Sequence, residues 1–157
     1  MFSEYDLRQG AVFSECAIGA IQEQARLLAR RVLRPTCVAL YGAMGSGKTT
    51  FAKSFIQAYC NDDSLPVVSP TFTIIQTYKK KHVHLAKHST EEVWHVDLYR
   101  IKDSAEMLEL GLEEALFNNV CLVEWPEKIS GIDLPRRVNV FLNIMSASTR
   151  ALFIRYL

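Results

Sequence analysis

Apolar positions along this chain switch between two spacings, and the switches mark its elements. Across residues 14–32, Ile18, Ile21, Ala25, Leu28 and Val32 recur three or four apart, with Gln22, Glu23, Arg26 and Arg30 between them. That spacing predicts an amphipathic helix, with Ser14 placed to cap it. Arg34-Pro35 ends the pattern, because the residue before proline avoids helical geometry. Residues 37–41 then form an apolar run of strand length. Helical spacing returns over 48–60 through Phe51, Ala52, Phe55, Ile56 and Tyr59. The β-branched and aromatic runs 74–78, 93–97, 120–124, 139–145 and 152–156 predict strands. Residues 104–117 read as a helix interrupted at Gly111.

The order strand, glycine-rich turn, helix predicts an α/β fold. The expectation is a three-layer P-loop NTPase-like domain with a central mixed sheet, parallel near the turn, and a C-terminal antiparallel hairpin made by the last two strands. The strand order is not contained in the pattern. At 157 residues the chain fits one core, since single domains commonly run to about 100–200 residues, so residues 1–157 are expected to form a single P-loop ATPase domain. There is no internal repeat and no low-complexity tract.

Charge and cysteine usage narrow the class. The 18 basic and 17 acidic residues leave a net charge of +1, which removes any global electrostatic argument for a nucleic-acid or membrane partner. Cys16, Cys37, Cys60 and Cys121 lie far apart without a C-x-x-C pair, so they are expected to be small buried apolar residues in a reducing compartment. Glu4, Asp6 and Arg8 interrupt the start of the chain where a signal peptide needs an apolar stretch, and no run reaches the ~18 apolar residues of a membrane span. A soluble cytoplasmic protein is expected.

Candidate chemistry begins at Gly42-Ala43-Met44-Gly45-Ser46-Gly47-Lys48-Thr49, a full G-x-x-x-x-G-K-[ST] match between a predicted strand and a predicted helix. Glycines let successive backbone N–H groups turn inward to phosphate oxygens, and the positive end of the following helix faces the same anion. Gly42, Met44, Gly45, Ser46, Gly47, Lys48, Thr49 and Thr50 are therefore the candidate phosphate contacts. Lys48 supplies charge for the β- and γ-phosphates, and Thr49 offers a hydroxyl oxygen to Mg²⁺.

Two acids end strands that feed the same edge. Asp97 closes 93–97, where a Walker B carboxylate belongs, or begins an ordinary turn. Glu124 closes 120–124 and projects into the crevice where α/β proteins bind ligands. One acid can ligate metal while the other orients or deprotonates water, and the sequence leaves open which does which. Trp125 is either strand-end packing or a lid contact. Within Ser69-Pro70-Thr71-Phe72-Thr73, Thr71 or Thr73 is placed to sense a γ-phosphate, the alternative being a Ser-Pro turn into a strand.

Together with His95-Val96-Asp97-Leu98-Tyr99-Arg100 and Val123-Glu124-Trp125-Pro126, these motifs resemble the TsaE family, also called YjeE, over residues 14–135. The resemblance implies a bacterial ATPase, with ATP and Mg²⁺, required for threonylcarbamoyladenosine formation beside the anticodon of ANN-decoding tRNAs. It implies TsaB and TsaD as partners, the threonylcarbamoyl transfer belonging to TsaD, with contact to tRNA, if any, made through the assembly. It carries Lys48 over as a phosphate contact; Thr49, Asp97 and Glu124 as metal-associated groups; and Asp97, Glu124, Trp125 and Thr71 as residues of the reaction. The chain departs from the family in having Ala43 where an acid is usual and Met44 where leucine is. Thr149 stands where glycine commonly precedes an arginine, so Arg150 is left out of the expected site.

Other readings remain beside this one. His82, His84 and His88 stand among Lys79, Lys80, Lys81 and Lys87 without an acidic or thiolate companion, which favours a basic solvated loop over a metal site. Arg100 is placed to pair with Asp97 or to stabilise charge. A small-molecule kinase would share the P-loop but needs an arginine-bearing lid, which the chain lacks. A nucleotide-gated assembly module would use ATP to hold a shape and hydrolysis to reset it. No guanine-reading N-K-x-D motif occurs; the residues leave ATP and GTP both open, and ATP is inferred from the resemblance.

Overall fold

A computed structural model describes residues 10–81, 91–129 and 131–157. In chain order they form β1 (Ala11–Ala17), α1 (Ile18–Ala29), β2 (Thr36–Tyr41), α2 (Lys48–Tyr59), β3 (Ile75–Lys79) and β4 (Glu92–Asp97). Then come α3 (Ser104–Glu109), α4 (Leu112–Asn118), β5 (Val120–Glu124), a 3-10 turn (Pro126–Ile129), β6 (Arg137–Ile144) and β7 (Thr149–Tyr156).

The strands pair into one sheet in the order β1-β7-β6-β2-β5-β4-β3. β2 runs parallel to both β5 and β6, and β4 runs parallel to β5. The outer pairings β3–β4, β6–β7 and β1–β7 are antiparallel. The mixed sheet and the C-terminal hairpin are as expected.

Alternation along the central strands creates two cores, because successive side chains leave a strand on opposite faces. Val38, Leu40, Val120 and Leu122 meet α1 and α2 through Ile21, Ala25, Phe51 and Phe55. Cys37, Ala39, Cys121 and Val123 meet α3 and α4 through Met107, Leu112 and Leu116. A strand buried on both faces reads as a continuous apolar run, which is why β2 and β5 stood out in the sequence. All four cysteines are buried and none is in a disulfide among the described residues. Burial pushes the Cys37 thiol up to about 12 and that of Cys60 up to about 11, consistent with an inert packing role.

Two expectations about elements need correction. The first helix begins at Ile18 rather than near Ser14, and residues 11–17 are an edge strand on β7. A bulge between Phe13 and Cys16, with Glu15 at φ 55°, breaks the two-residue alternation, so the strand merges into the helical pattern behind it. The helix that follows has Ala17 at its N-cap and no side-chain cap. Arg100 does not pair with Asp97; its guanidinium lies over the Phe72 ring at 4.8 Å. The predicted break at Gly111 is present, with that glycine in left-handed geometry (φ 65°) opening α4.

The residues His82, His84 and His88, with Lys87, lie outside the described residues. Among the described residues no helix is long and apolar enough to cross a membrane.

Phe55 is fully buried between α2 and the sheet, so Phe55→Ala is expected to cost about 3–5 kcal/mol. Urea unfolding of the purified variant checks this, and an unchanged midpoint would contradict the packing described.

Candidate functional site

β2 delivers the chain to the P-loop at Gly42. A β-carbon there would run into the Leu142 carbonyl oxygen and the Ser46 hydroxyl, and φ is 147°, so only glycine passes. Gly45 and Gly47 also take positive φ, 77° and 107°, which curls the loop before α2 starts at Lys48. Phe51 and Phe55, buried against the sheet, fix the rotation of α2 and therefore where Lys48 and Thr49 point.

The acids arrive by register. In the parallel pairing of β4 with β5, Asp97 lies opposite Glu124, and in that of β2 with β5, Leu40 lies opposite Glu124. The P-loop thus begins two residues beyond the level of both carboxylates. Thr49 Oγ1 donates to Glu124, 3.1 Å from Oε1 and 3.2 Å from Oε2. Thr71 Oγ1 donates to Asp97 Oδ2 at 2.6 Å, so the 2.7 Å contact between Ser69 and Thr71 has the Ser69 hydroxyl as donor. Asp97 Oδ1 accepts from the Tyr99 backbone N–H at 2.9 Å. Asp97 thus opens a turn and lines the cleft beside the P-loop.

These groups share one cleft of about 250 Å³. Gly45, Gly47, Lys48, Thr49 and Thr50 form its floor, and Met44 lies at its lip, 70% exposed. Thr71, Asp97, Glu124 and Trp125 line the walls with Tyr99. Two expected contacts stand elsewhere. Gly42 and Ser46 do not line the cleft, and Ser46 is fully buried with no partner for its hydroxyl among the described residues.

Lys48 is held at the loop mouth. Its Nζ donates to the carbonyls of Gly42 (2.7 Å) and Ala43 (3.0 Å) and sits 4.2 Å from the centre of the Trp125 ring. Burial pulls the Lys48 ammonium below its ordinary pKa, against Glu124 and Asp97, which act to raise it. Trp125 takes φ 58°, an unusual geometry for a bulky residue, and its ring meets that of Tyr99 at 5.2 Å. The indole thus lies against the lysine while also packing on the second core.

Two residues enter the site that motif reading had not placed there. Arg150, on β7, donates to the P-loop carbonyls of Gly45 and Ser46, each at 3.2 Å. These two acceptors are backbone atoms 104 and 105 residues away, while the carbonyls of Ser146 and Thr149 accept from the same guanidinium locally, so no side-chain pattern announces the contact to the loop. His95, fully buried, holds Glu124 Oε1 at 3.0 Å through Nε2. Its position two residues before Asp97, on the same face of β4, was the available signal.

The donor set fits a hard cation. Thr49, Asp97 and Glu124 offer oxygen atoms only, as Mg²⁺ prefers. Among the described residues no cluster of three or more His, Cys, Asp or Glu forms a metal cage.

A family model described as Threonylcarbamoyl adenosine biosynthesis protein TsaE matches residues 17–152. The tRNA threonylcarbamoyladenosine biosynthesis protein TsaE of Rickettsia felis is 37% identical over 126 residues, covering 80% of this chain and 68% of that one. The protein of the same name from Haemophilus influenzae is 31% identical over 140 residues, covering 88% and 74%. A crystal structure of YdiB from Bacillus subtilis superposes with a TM-score of 0.67 at 24% identity, covering 92% of this chain and 84% of that one, and shows the shared P-loop NTPase-like fold. With most of its length matched by the family model, the chain belongs to the TsaE family, whose role lies in tRNA threonylcarbamoyladenosine biosynthesis.

Proposed function

We propose that this chain, as a single domain, binds ATP with Mg²⁺ in the cleft and hydrolyses it slowly, supporting tRNA threonylcarbamoyladenosine formation together with TsaB and TsaD. The observation that carries the reading is the convergence of Lys48 and Thr49 with Glu124 and Asp97 in one cleft, joined by the Thr49–Glu124 hydrogen bond.

Each residue has a task that its present contacts support. Lys48 exchanges the carbonyls of Gly42 and Ala43 for phosphate oxygens, both being acceptors for the same ammonium. Thr49 gives its hydroxyl hydrogen to Glu124, which leaves the oxygen lone pairs directed away from that carboxylate and available to a cation. Bound Mg²⁺ would neutralise charge on the phosphates as the terminal bond breaks. Asp97 and Thr71, joined at 2.6 Å, put a carboxylate and a hydroxyl side by side on the wall for orienting the attacking water. Trp125 and Tyr99 limit solvent access to the ammonium. Arg150 fixes the Gly45 and Ser46 carbonyls, so the Gly47 N–H is oriented by a peptide plane already held. Cytoplasmic residence follows from the substrate, since ATP and tRNA are found together there.

Three outcomes are expected. Lys48→Ala should weaken ATP binding at least about tenfold in calorimetry, the loss of one charge-assisted contact being worth about 1.5–3 kcal/mol. Glu124→Ala should slow single-turnover hydrolysis on the order of 100-fold while changing ATP affinity far less; a wild-type rate would remove Glu124 from the reaction. Arg150→Ala should weaken ATP binding about threefold to tenfold, the range of a neutral-acceptor hydrogen bond, without altering the melting temperature by more than a few degrees. The deciding assay is hydrolysis by the purified chain, alone and with TsaB and TsaD. Stimulation by the partners, lost in Asp97→Ala, supports the proposal; partner-independent phosphate transfer to a small acceptor overturns it in favour of a kinase.

A further inference from the structure

We propose that His95 is a positioning residue that sets the Glu124 carboxylate, and through it the Thr49 hydroxyl, so that the metal-facing oxygen is oriented before any ligand arrives. The inference deepens the reading of the cleft as an MgATP site and rests on it.

Three observations carry the chain of contacts. His95 is fully buried within β4 and cannot touch a ligand in the cleft, so it acts through another group. Its Nε2 lies 3.0 Å from Glu124 Oε1, while its Nδ1 has no hydrogen-bond partner among the described residues. A hydrogen on Nδ1 would be a buried unsatisfied donor, so the ring carries it on Nε2 and donates to Glu124. Glu124 in turn accepts from Thr49 on both oxygens, 3.1 and 3.2 Å.

The physical need for such a residue comes from the glutamate itself. Its terminal torsion is broad and roughly two-fold, so backbone placement alone does not fix which way the carboxylate plane faces. His95 supplies a donor from the sheet side and Thr49 a donor from the helix side, and two donors from different elements define the plane. The Thr49 hydrogen is then committed to Glu124, which keeps its lone pairs free. Buried partners that orient metal ligands in this way typically govern about 10–100-fold in metal affinity.

A ligand-free measurement tests the position of the hydrogen directly. Nitrogen-15 spectra of the imidazole should show a hydrogen on Nε2 of His95 and a bare Nδ1; a bare Nε2 overturns the proposal. Calorimetry with ATP then tests the consequence. His95→Phe keeps a ring but no N–H, and should lose about tenfold of the affinity gain that Mg²⁺ gives the wild type, with affinity in EDTA within about twofold. His95→Gln, whose amide N–H can reach Glu124, should restore most of that gain, and His95→Asn, which is too short, should not. The Gln and Asn pair keeps the test independent of whether the Phe variant folds. A full Mg²⁺ gain in His95→Asn, or equal loss in His95→Gln and His95→Asn, overturns the positioning role. A wild type that binds no ATP sinks the functional reading instead, while the nitrogen spectra still decide how His95 meets Glu124.

Discussion

Thr49 and Glu124 are 75 residues apart in the chain, and their 3.1 Å hydrogen bond is the contact on which the rest of the site depends. One end stands in the first turn of α2 and the other on the last residue of β5. The bond forms because β2 and β5 are adjacent and parallel, with Leu40 opposite Glu124, so the loop leaving β2 starts beside the acid. The packing of Phe51 and Phe55 against Val38 and Leu122 sets the height of α2, and with it the reach of the hydroxyl. A slip of one residue in β5 would send Glu124 to the opposite face of the sheet, because side chains alternate.

Charge and strain concentrate at the same edge. One buried ammonium faces two buried carboxylates, and each carboxylate already accepts hydrogen bonds from protein donors. An arrangement of this kind limits the cost of burying the acids. Two residues with left-handed backbone stand beside the acids. Trp125 follows Glu124 at φ 58°, and Ile74, at φ 67°, accepts the Asp97 N–H through its carbonyl at 2.9 Å. Such geometry costs on the order of 1–3 kcal/mol per residue. Here the sheet on one side and the segment 70–74 on the other hold it in place.

Most of the fold was legible because its central elements bury both faces or one clean stripe. β5 appeared in the sequence with the bounds it has in the structure, Val120–Glu124, and α2 differed by one residue at its end. β1 was not legible, since a bulge between Phe13 and Cys16 removes the alternation by which a strand is recognised. The cleft was legible to the extent that its residues sit at element ends: the P-loop between strand and helix, Asp97 and Glu124 closing strands. Arg150 was not, because what it recognises is backbone carbonyl, and every residue has one. His95 looked like one residue of a motif, and its tie to Glu124 needed the register of β4 on β5.

The sequence by itself determined the family, the element types around the P-loop, and the chemical character of the site as one ammonium, two carboxylates and a few hydroxyls. Those properties are local, carried by spacing and side-chain type within a few residues. The tertiary structure decided the strand order, which hydroxyl meets which acid, where Trp125 lies relative to Lys48, and that a β7 arginine braces the loop. These are relations between segments tens of residues apart, and they exist only once parallel strands pair in register and the two cores close around them.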